Sequence, residues 1–341
     1  MRIEQVCVFG GGTWGATLAW MLRRKGLGVR LWEFSLDVVA ALRGARVPAK
    51  LPHLRLQDDI EITHDLAEAC AGAAHWVIVV PSHGVRALAR ALKPLLSSAP
   101  PQTITLCAKG IEPETGLTLT QVAAAELGEP AGARIVALSG PSHAEEVSRE
   151  MPTTVVSAAM DAALARRVQE LFATPVFRVY TSPDTLGVEL GGALKNVIAI
   201  AAGVCDGMGF GDNTRAALIT RGLAEMTRLG VRMGARAETF AGLAGLGDLV
   251  VTATSHHSRN RNFGELLGRG VPADEARRRI GMEVEGVYAA RSARLLSQRH
   301  GVEMPISAEA YAILYESKPA AEAVKALLSR DPKPEVYGMN P

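Results

Sequence analysis

The sequence predicts an α/β fold: a mainly parallel sheet with covering helices in the N-terminal part, then an all-helical C-terminal domain. Three observations predict it. Short β-branched runs alternate with helix-like stretches as far as about Thr181. Beyond that point strand signals nearly vanish, and helical stretches punctuated by Gly and Pro take over. The 341 residues are 48% apolar, enough for two domains with sizeable cores. The expected division is residues 1–182, residues 183–330, and a Pro-rich, frayed tail over 331–341.

In chain order, the strand-like runs are Val6–Phe9, Val29–Trp32, Ile60–Ile62, Trp76–Val80, Ile104–Cys107, Ile135–Leu138, Thr154–Val156 and Val176–Val179. Between them, stretches such as Ala16–Lys25 and Val85–Leu92 repeat apolar residues at helical spacing. Strand–helix alternation implies crossover connections and parallel pairing. Nearly continuous apolar strands fit a sheet covered on both faces. Later helices are expected to run from Leu186, Thr214, Glu283, Ser307 and Ala320.

Lys and Arg total 37 against 35 Asp and Glu, so no general nucleic-acid footprint is present. The runs Arg23-Arg24-Lys25 and Arg277-Arg278-Arg279 read as solvated helix faces. Cys7, Cys70, Cys107 and Cys205 form no C-x-x-C pair and lie at no metal-ligand spacing, so no metal is expected. They suit a reducing cytoplasm. Met1 to Glu4 lead into a strand almost at once, leaving no room for a signal peptide. The longest apolar stretch, around Val197–Ile200, reads as far short of a spanning helix, so neither secretion nor membrane insertion is expected.

The first strand runs into Gly10-Gly11-Gly12-Thr13-Trp14-Gly15, which satisfies G-x-G-x-x-G through Gly10, Gly12 and Gly15. Gly10 allows the tight turn, Gly12 lets a pyrophosphate approach the backbone, and Gly15 lets the helix pack close to the strand. The helix N-terminus then offers unpaired N–H groups to phosphates. This context marks a Rossmann-type dinucleotide site. Glu33, eighteen residues past Gly15, ends the second strand where an acid accepts from ribose hydroxyls. A carboxylate there repels a 2′-phosphate, so NAD is favoured over NADP. Arg30 is expected to point along the strand rather than into the ribose site.

Three further segments carry chemistry. Leu106-Cys107-Ala108-Lys109-Gly110 places a lysine at a strand end, where ligands bind in such sheets. Glu189 through Val197 place Lys195 and Asn196 in an apolar, small-residue helix, where lost hydration lowers a lysine's proton affinity. Gly245 through Thr252, followed by Ser258-Arg259-Asn260, supply polar groups and an anion cradle with a planar guanidinium.

In these residues the chain closely resembles the bacterial-type NAD(P)-dependent glycerol-3-phosphate dehydrogenases. The likeness spans nearly the whole length. It rests on the glycine turn, Ala108-Lys109-Gly110, Leu138-Ser139-Gly140-Pro141-Ser142, Glu189 through Asn196, Leu243 through Asp248, Ser258-Arg259-Asn260 and Val284-Glu285-Gly286. The resemblance implies that Lys195 is the proton donor and acceptor, with Asp248 and Thr252 ordering it and the substrate. It implies substrate contacts at Lys109, Gly140, Ser142, Asn196, Ser258, Arg259 and Asn260. It implies cofactor contacts at Gly10, Gly12, Thr13, Trp14, Gly15, Glu33, Phe34, Lys109, Ala144, Arg259, Glu283 and Glu285.

The implied reaction interconverts dihydroxyacetone phosphate and glycerol 3-phosphate with NAD or NADP. Lys195 carries the proton, Lys109 stabilises developing charge, and Arg259 with Asn260 holds the phosphate. The product would feed phospholipid synthesis, and a cytoplasmic homodimer associating through the helical domain is implied. The sequence departs from many relatives at His143, read as a packing substitution, at Glu283-Val284, and at Glu33-Phe34. Two rival readings are a related hydroxy-acid or keto-acid dehydrogenase, which would grip a carboxylate, and a non-catalytic nucleotide sensor.

Overall fold

The computed structural model describes residues 4–97 and 100–335; the expectations for Met1–Ile3 and for residues 336–341 of the tail lie outside the described residues. By the density of their contacts the residues divide into two units. One takes the chain up to Ala108 together with Leu119–Thr185; the other takes Lys109–Thr118 together with everything from Leu186.

The first unit is built on an eight-stranded sheet: β1 (Gln5–Phe9), β2 (Gly28–Trp32), β3 (Glu61–Thr63), β4 (His75–Ile78), β5 (Thr103–Leu106), β6 (Ile135–Ser139), β7 (Thr153–Ala158) and β8 (Phe177–Ser182). All eight expected strands are present. Their order is β3-β2-β1-β4-β5-β6-β7-β8. Every neighbouring pair is parallel except β6 and β7. The continuous apolar runs have the cause inferred for them, since β1 from Val6 onward and all of β4 and β5 are buried. At the edge, the first four residues of β8 alternate, with Phe177 and Val179 buried and Arg178 and Tyr180 exposed. The strand order reverses direction between β1 and β4, and ligands bind in such sheets at the carboxyl ends of strands at that switch.

The helix Thr13–Arg24 follows β1 and buries Ala16, Ala19 and Leu22 on the sheet. Arg23 and Arg24 close it, favourably placed at the negative end of its dipole. Both basic runs are solvated as expected, with Arg24, Lys25, Arg277, Arg278 and Arg279 exposed, and they add surface pairs. Arg23 donates to Asp59 at 2.8 Å, Arg24 pairs with Glu150 at 3.0 Å, and Lys25 reaches the Leu171 carbonyl at 3.1 Å. Arg278 and Arg279 both pair with Glu275 at 2.8 Å.

The second unit is helical. The expected helices appear as Thr185–Gly207, Asp212–Arg232, Glu285–His300, Pro305–Tyr315 and Ala320–Leu328. Four further helices, Ala237–Ala241, Asp248–Thr254, Arg259–Gly268 and Ala273–Ile280, and a π-helical turn at Leu243–Gly247 escaped the sequence pattern. They are short, and glycine or polar caps interrupt their apolar spacing. The helix Thr185–Gly207 overturns the expectation of a short apolar stretch. Its 23 residues are long and apolar enough to cross a membrane by length and composition, but 94% of its most apolar window is buried within the protein. Lys195 and Asn196 interrupt the run of apolar letters without ending the apolar helix.

Two boundaries also differ from the sequence reading. Lys109–Thr118, assigned to the first domain, groups with the helical unit. Ile111 joins the core of Leu190, Leu194, Met226 and Leu296, its carbonyl accepts from Ser292 at 2.8 Å, and the Thr115 carbonyl accepts from Arg299 at 2.8 Å. The described part of the tail is tied down rather than frayed: Lys333 pairs with Glu303 and the Glu335 carbonyl accepts from Arg221, both at 2.8 Å.

Backbone-to-backbone packing joins the helices Thr185–Gly207 and Arg259–Gly268. A Cβ at Gly203 would lie 1.9 Å from the Arg261 carbonyl oxygen, and one at Gly264 would lie 2.0 Å from that of Ile200. By contrast, a Cβ at Gly44, in the exposed helix Leu36–Ala45, would meet nothing within 4 Å. Gly44→Ala is therefore expected to stabilise the protein by about 0.5–1 kcal/mol through helix propensity. Gly203→Ala gains the same propensity but is overpacked by roughly 1–3 kcal/mol or more, so its net effect should be destabilising. Thermal unfolding of the two variants should move the midpoint in opposite directions, and a stabilised Gly203→Ala would refute the close packing.

Candidate functional site

In the first unit the glycine turn has a distinct reason for each glycine. Gly10 has φ +116°, a conformation that side chains resist. A Cβ at Gly15 would lie 1.8 Å from the Gly10 carbonyl oxygen, so only glycine lets the helix start that close to β1. At Gly12 a Cβ would meet no protein atom within 4 Å; the space it would fill is open. The helix Thr13–Arg24 has no side-chain cap and no acid in its first turn. Its first intrahelical bond runs from Ala16 N–H to the Gly12 carbonyl at 2.9 Å, so the N–H groups of Thr13, Trp14 and Gly15 lack helical acceptors. Open space at a glycine beside uncapped N–H groups and a positive dipole end fits a pyrophosphate.

Glu33 is attached to this turn. One carboxylate oxygen accepts from Gly11 N–H at 2.6 Å and the other from Ser35 N–H at 3.0 Å. Arg30 pairs with Glu61 at 2.6 Å and donates to the Ala71 carbonyl, in keeping with the expectation that it avoids the ribose site. Phe34 is 81% exposed beside Glu33. Ala144, buried at the start of its short helix, packs in the cluster of Leu51 and Leu54 that also receives Trp14. Gly140, at φ +139°, follows β6, and its carbonyl accepts from the Ser142 hydroxyl at 2.9 Å.

In the second unit four of the sequence-nominated residues converge. Asp248 is 1% exposed and receives two ammonium groups, Lys109 at 2.7 Å on one oxygen and Lys195 on the other. Lys195 also donates to the Thr252 hydroxyl at 2.7 Å, and that hydroxyl donates to the Asp248 carbonyl at 2.6 Å. The hydroxyl proton is thereby committed, so Thr252 offers Lys195 a lone pair. Two of the three ammonium hydrogens have acceptors among the described residues, and the third is left for a further acceptor.

Burial pushes Lys195 down from the ordinary lysine range to about 7; Asp248 opposes this and Lys109 adds to it. Burial pushes the Asp248 carboxyl up, but the two ammonium groups outweigh burial and hold it below the usual carboxylate range.

A second cluster surrounds the helix Arg259–Gly268. Ser258 caps it, accepting from Arg261 N–H at 3.2 Å. The first intrahelical bond is Asn262 N–H to the Ser258 carbonyl at 2.9 Å, which leaves the N–H groups of Arg259 and Asn260 without helical acceptors. The anion cradle inferred from Ser258-Arg259-Asn260 is thus a helix N-terminus. Arg259 donates to the Glu283 carbonyl at 3.0 Å, so Glu283 acts there through its backbone. The Asn260 side chain is engaged inside the protein, donating to Asn196 and accepting from Gly286 N–H, each at 2.9 Å. Its side chain thereby ties three helices, the last beginning at Glu285.

Sequence reasoning missed two parts of this site: the link through Gly286, and the π-helical turn that delivers Asp248. In that turn Gly247 N–H reaches back five residues to the Gly242 carbonyl at 3.1 Å. The glycine spacing in Gly242-Leu243-Ala244-Gly245-Leu246-Gly247 was its available signal.

Two family profiles match the chain. The N-terminal profile of the NAD-dependent glycerol-3-phosphate dehydrogenases covers residues 5–165, and the C-terminal profile covers residues 184–325. The chain is 51% identical over 333 residues to a protein of Geobacter sulfurreducens named glycerol-3-phosphate dehydrogenase (NAD(P)+), covering 97% of this chain and 99% of that one. It is 50% identical over 335 residues to the protein of the same name from Moorella thermoacetica, covering 98% of each. Its fold is similar to the crystal structure of glycerol-3-phosphate dehydrogenase from Coxiella burnetii, with TM-score 0.91 and 39% identity over 96% of this chain and 99% of that one.

The geometry around Asp248 makes a prediction that needs no substrate. Isotope-edited NMR of the lysine side chains should show one ammonium titrating near pH 7. Asp248→Asn, which removes the opposing charge, should move that midpoint lower. A Lys195 midpoint that stays near the model-peptide value of about 10.4 would show that pairing outweighs burial.

Proposed function

The chain belongs to the NAD-dependent glycerol-3-phosphate dehydrogenases, and on that premise we propose that Lys195 moves the proton in the interconversion of dihydroxyacetone phosphate and glycerol 3-phosphate. One observation carries the assignment: a buried ammonium group held by Asp248 and Thr252, with its proton affinity lowered to about 7. A group poised near neutral pH can give and take a proton with similar ease, as a reversible ketone reduction requires.

Bound NAD(P)H or NAD(P)+ supplies or accepts the hydride at the central carbon. Gly12 and the N–H groups of Thr13, Trp14 and Gly15 would hold its pyrophosphate. During reduction, Lys195 donates to the carbonyl oxygen as negative charge builds there. Lys109, on the same aspartate, lends a second positive charge to that oxygen. In oxidation, neutral Lys195 takes the hydroxyl proton. Arg259 and the free N–H groups of Arg259 and Asn260 suit the substrate's phosphate, so distant binding energy fixes orientation. The Asn260 side chain supports that site by bracing it.

Lys195→Ala is expected to bind cofactor normally and to lose about 10²–10⁴-fold in turnover. In the parent enzyme, reduction should slow as pH rises through about 7, because it needs the charged lysine. Oxidation should speed up over the same interval, because it needs the neutral one. Initial rates in both directions between pH 5.5 and 9 test this, and parallel profiles would rule out Lys195 as the shared group.

The family uses NAD or NADP. The Glu33 carboxylate on the glycine turn favours NAD, because it would repel a 2′-phosphate. NADH should therefore give the higher kcat/KM with dihydroxyacetone phosphate. Glu33→Gln, which keeps the acceptor oxygen and removes the charge, should raise relative use of NADPH. A parent enzyme that prefers NADPH would overturn this role for Glu33.

The burial of Thr185–Gly207 supports its being a core helix and not a membrane span. A homodimer and a place in phospholipid synthesis are the accompanying expectations of the family.

A further inference from the structure

We propose that Gly191 is a positioning residue for proton transfer: its missing side chain lets the π-helical turn Leu243–Gly247 seat directly on the lysine helix, which sets the distance from Asp248 to Lys195. The inference rests on Lys195 as the proton-transfer group.

Gly191 lies one turn before Lys195 in the helix Thr185–Gly207, on the same face. A Cβ at Gly191 would lie 2.6 Å from the Ala244 carbonyl oxygen, 3.2 Å from the Ala244 carbonyl carbon and 3.4 Å from the Gly245 Cα. Ala244 and Gly245 belong to the turn that ends at Asp248. The contact is backbone against backbone, so no side chain can rotate away to make room.

The turn is equally confined from another direction. A Cβ at Gly245 would lie 2.1 Å from the Phe240 carbonyl oxygen. Phe240 is itself wedged, because its ring occupies the space a Cβ at Gly230 would need, 2.1 Å from Cζ. With the lysine helix on one side and Phe240 on another, the turn has little room to recoil. A methyl group at position 191 must then displace the turn or the lysine helix. Either movement separates the carboxylate of Asp248 from the ammonium of Lys195. A misplacement approaching 1 Å in a catalytic array costs up to about a hundredfold in rate.

The site proposed for the substrate's phosphate, at Arg259 and Asn260, and the dinucleotide turn are not built from these residues. The predicted signature is therefore specific. Gly191→Ala should lower kcat by about tenfold to a hundredfold. KM for dihydroxyacetone phosphate and the dissociation constant for NADH should stay within about twofold of the parent. The pH at which reduction slows should move lower, because Lys195 loses the support of Asp248. A purely structural role would lower the amount of folded enzyme and leave that pH limb where it was.

Steady-state kinetics across pH, with NADH binding followed by fluorescence, reads all three quantities. Folded Gly191→Ala with parental kcat and pH limb overturns the proposal. If Gly191→Ala yields no folded enzyme, Ala244→Gly loosens the turn without adding bulk. It should show the same signature at a smaller amplitude, and parental behaviour in that variant also overturns the proposal. Lys195→Ala, run alongside, separates the two possible failures. Parent-rate turnover in Lys195→Ala would remove the proton-transfer assignment itself, whereas its loss beside an unaltered Gly191→Ala would remove only the positioning role.

Discussion

One carboxylate shared by two ammonium groups is the constraint on which the helical unit's chemistry rests. Asp248 is almost sealed from solvent, and Lys109 and Lys195 each take one of its oxygens. At 2.7 Å, the Lys109–Asp248 separation, two unit charges interact by roughly 6 kcal/mol at an effective dielectric constant near 20. A single aspartate cannot neutralise two cations, so one lysine must be the weaker holder of its proton. Burial selects Lys195, whose side chain is 7% exposed against 20% for Lys109. The selection follows from placement, because the two side chains are chemically identical. Thr252 works against it: by spending its own proton on a backbone carbonyl it offers Lys195 a lone pair, which supports the charged form.

Such a cluster needs a stiff frame, and glycine supplies it. The helices Thr185–Gly207 and Arg259–Gly268 touch through backbone atoms at Gly203, Gly264 and Gly268. Asn260 then fastens both to the start of Glu285–His300. Asp206, at the end of the lysine helix, pairs with Arg261 at 2.7 Å and Arg215 at 2.6 Å. Lys195 and Arg259 therefore sit on helices that cannot slide past each other without breaking close contacts.

The legible parts of this molecule were those with local causes. The glycines of the nucleotide turn stand at a fixed spacing directly after a strand, and the eight strands carry their apolar pattern within a few residues. Lys195 was legible as an oddity in an apolar helix. Its partner was nominated by resemblance, since Asp248 lies 53 residues away and only folding brings them together. The π-helical turn left no compositional mark beyond glycine spacing. The helix at Arg259 was hidden because its opening residues, Ser, Arg and Asn, also suit an irregular connection. The full extent of the lysine helix was obscured by Lys195 and Asn196, two polar residues inside its apolar run. Glu33 was foreseen as a ribose acceptor, but its bonds to Gly11 and Ser35 depend on how the turn curls back over the second strand.

The excursion of Lys109–Thr118 carries a consequence for inheritance. The chain visits the helical unit, returns to the sheet, and only then commits to helices. A genetic exchange replacing everything after Thr185 would import Lys195 and Asp248 but leave Lys109 with the old partner sequence. Ile111 and Thr115, which dock on Glu285–His300, would stay behind with it. The halves of this enzyme are thus not interchangeable cassettes. Successful chimeras among relatives need three crossover points rather than one, with the ten-residue strand of inheritance from 109 to 118 travelling with the back half.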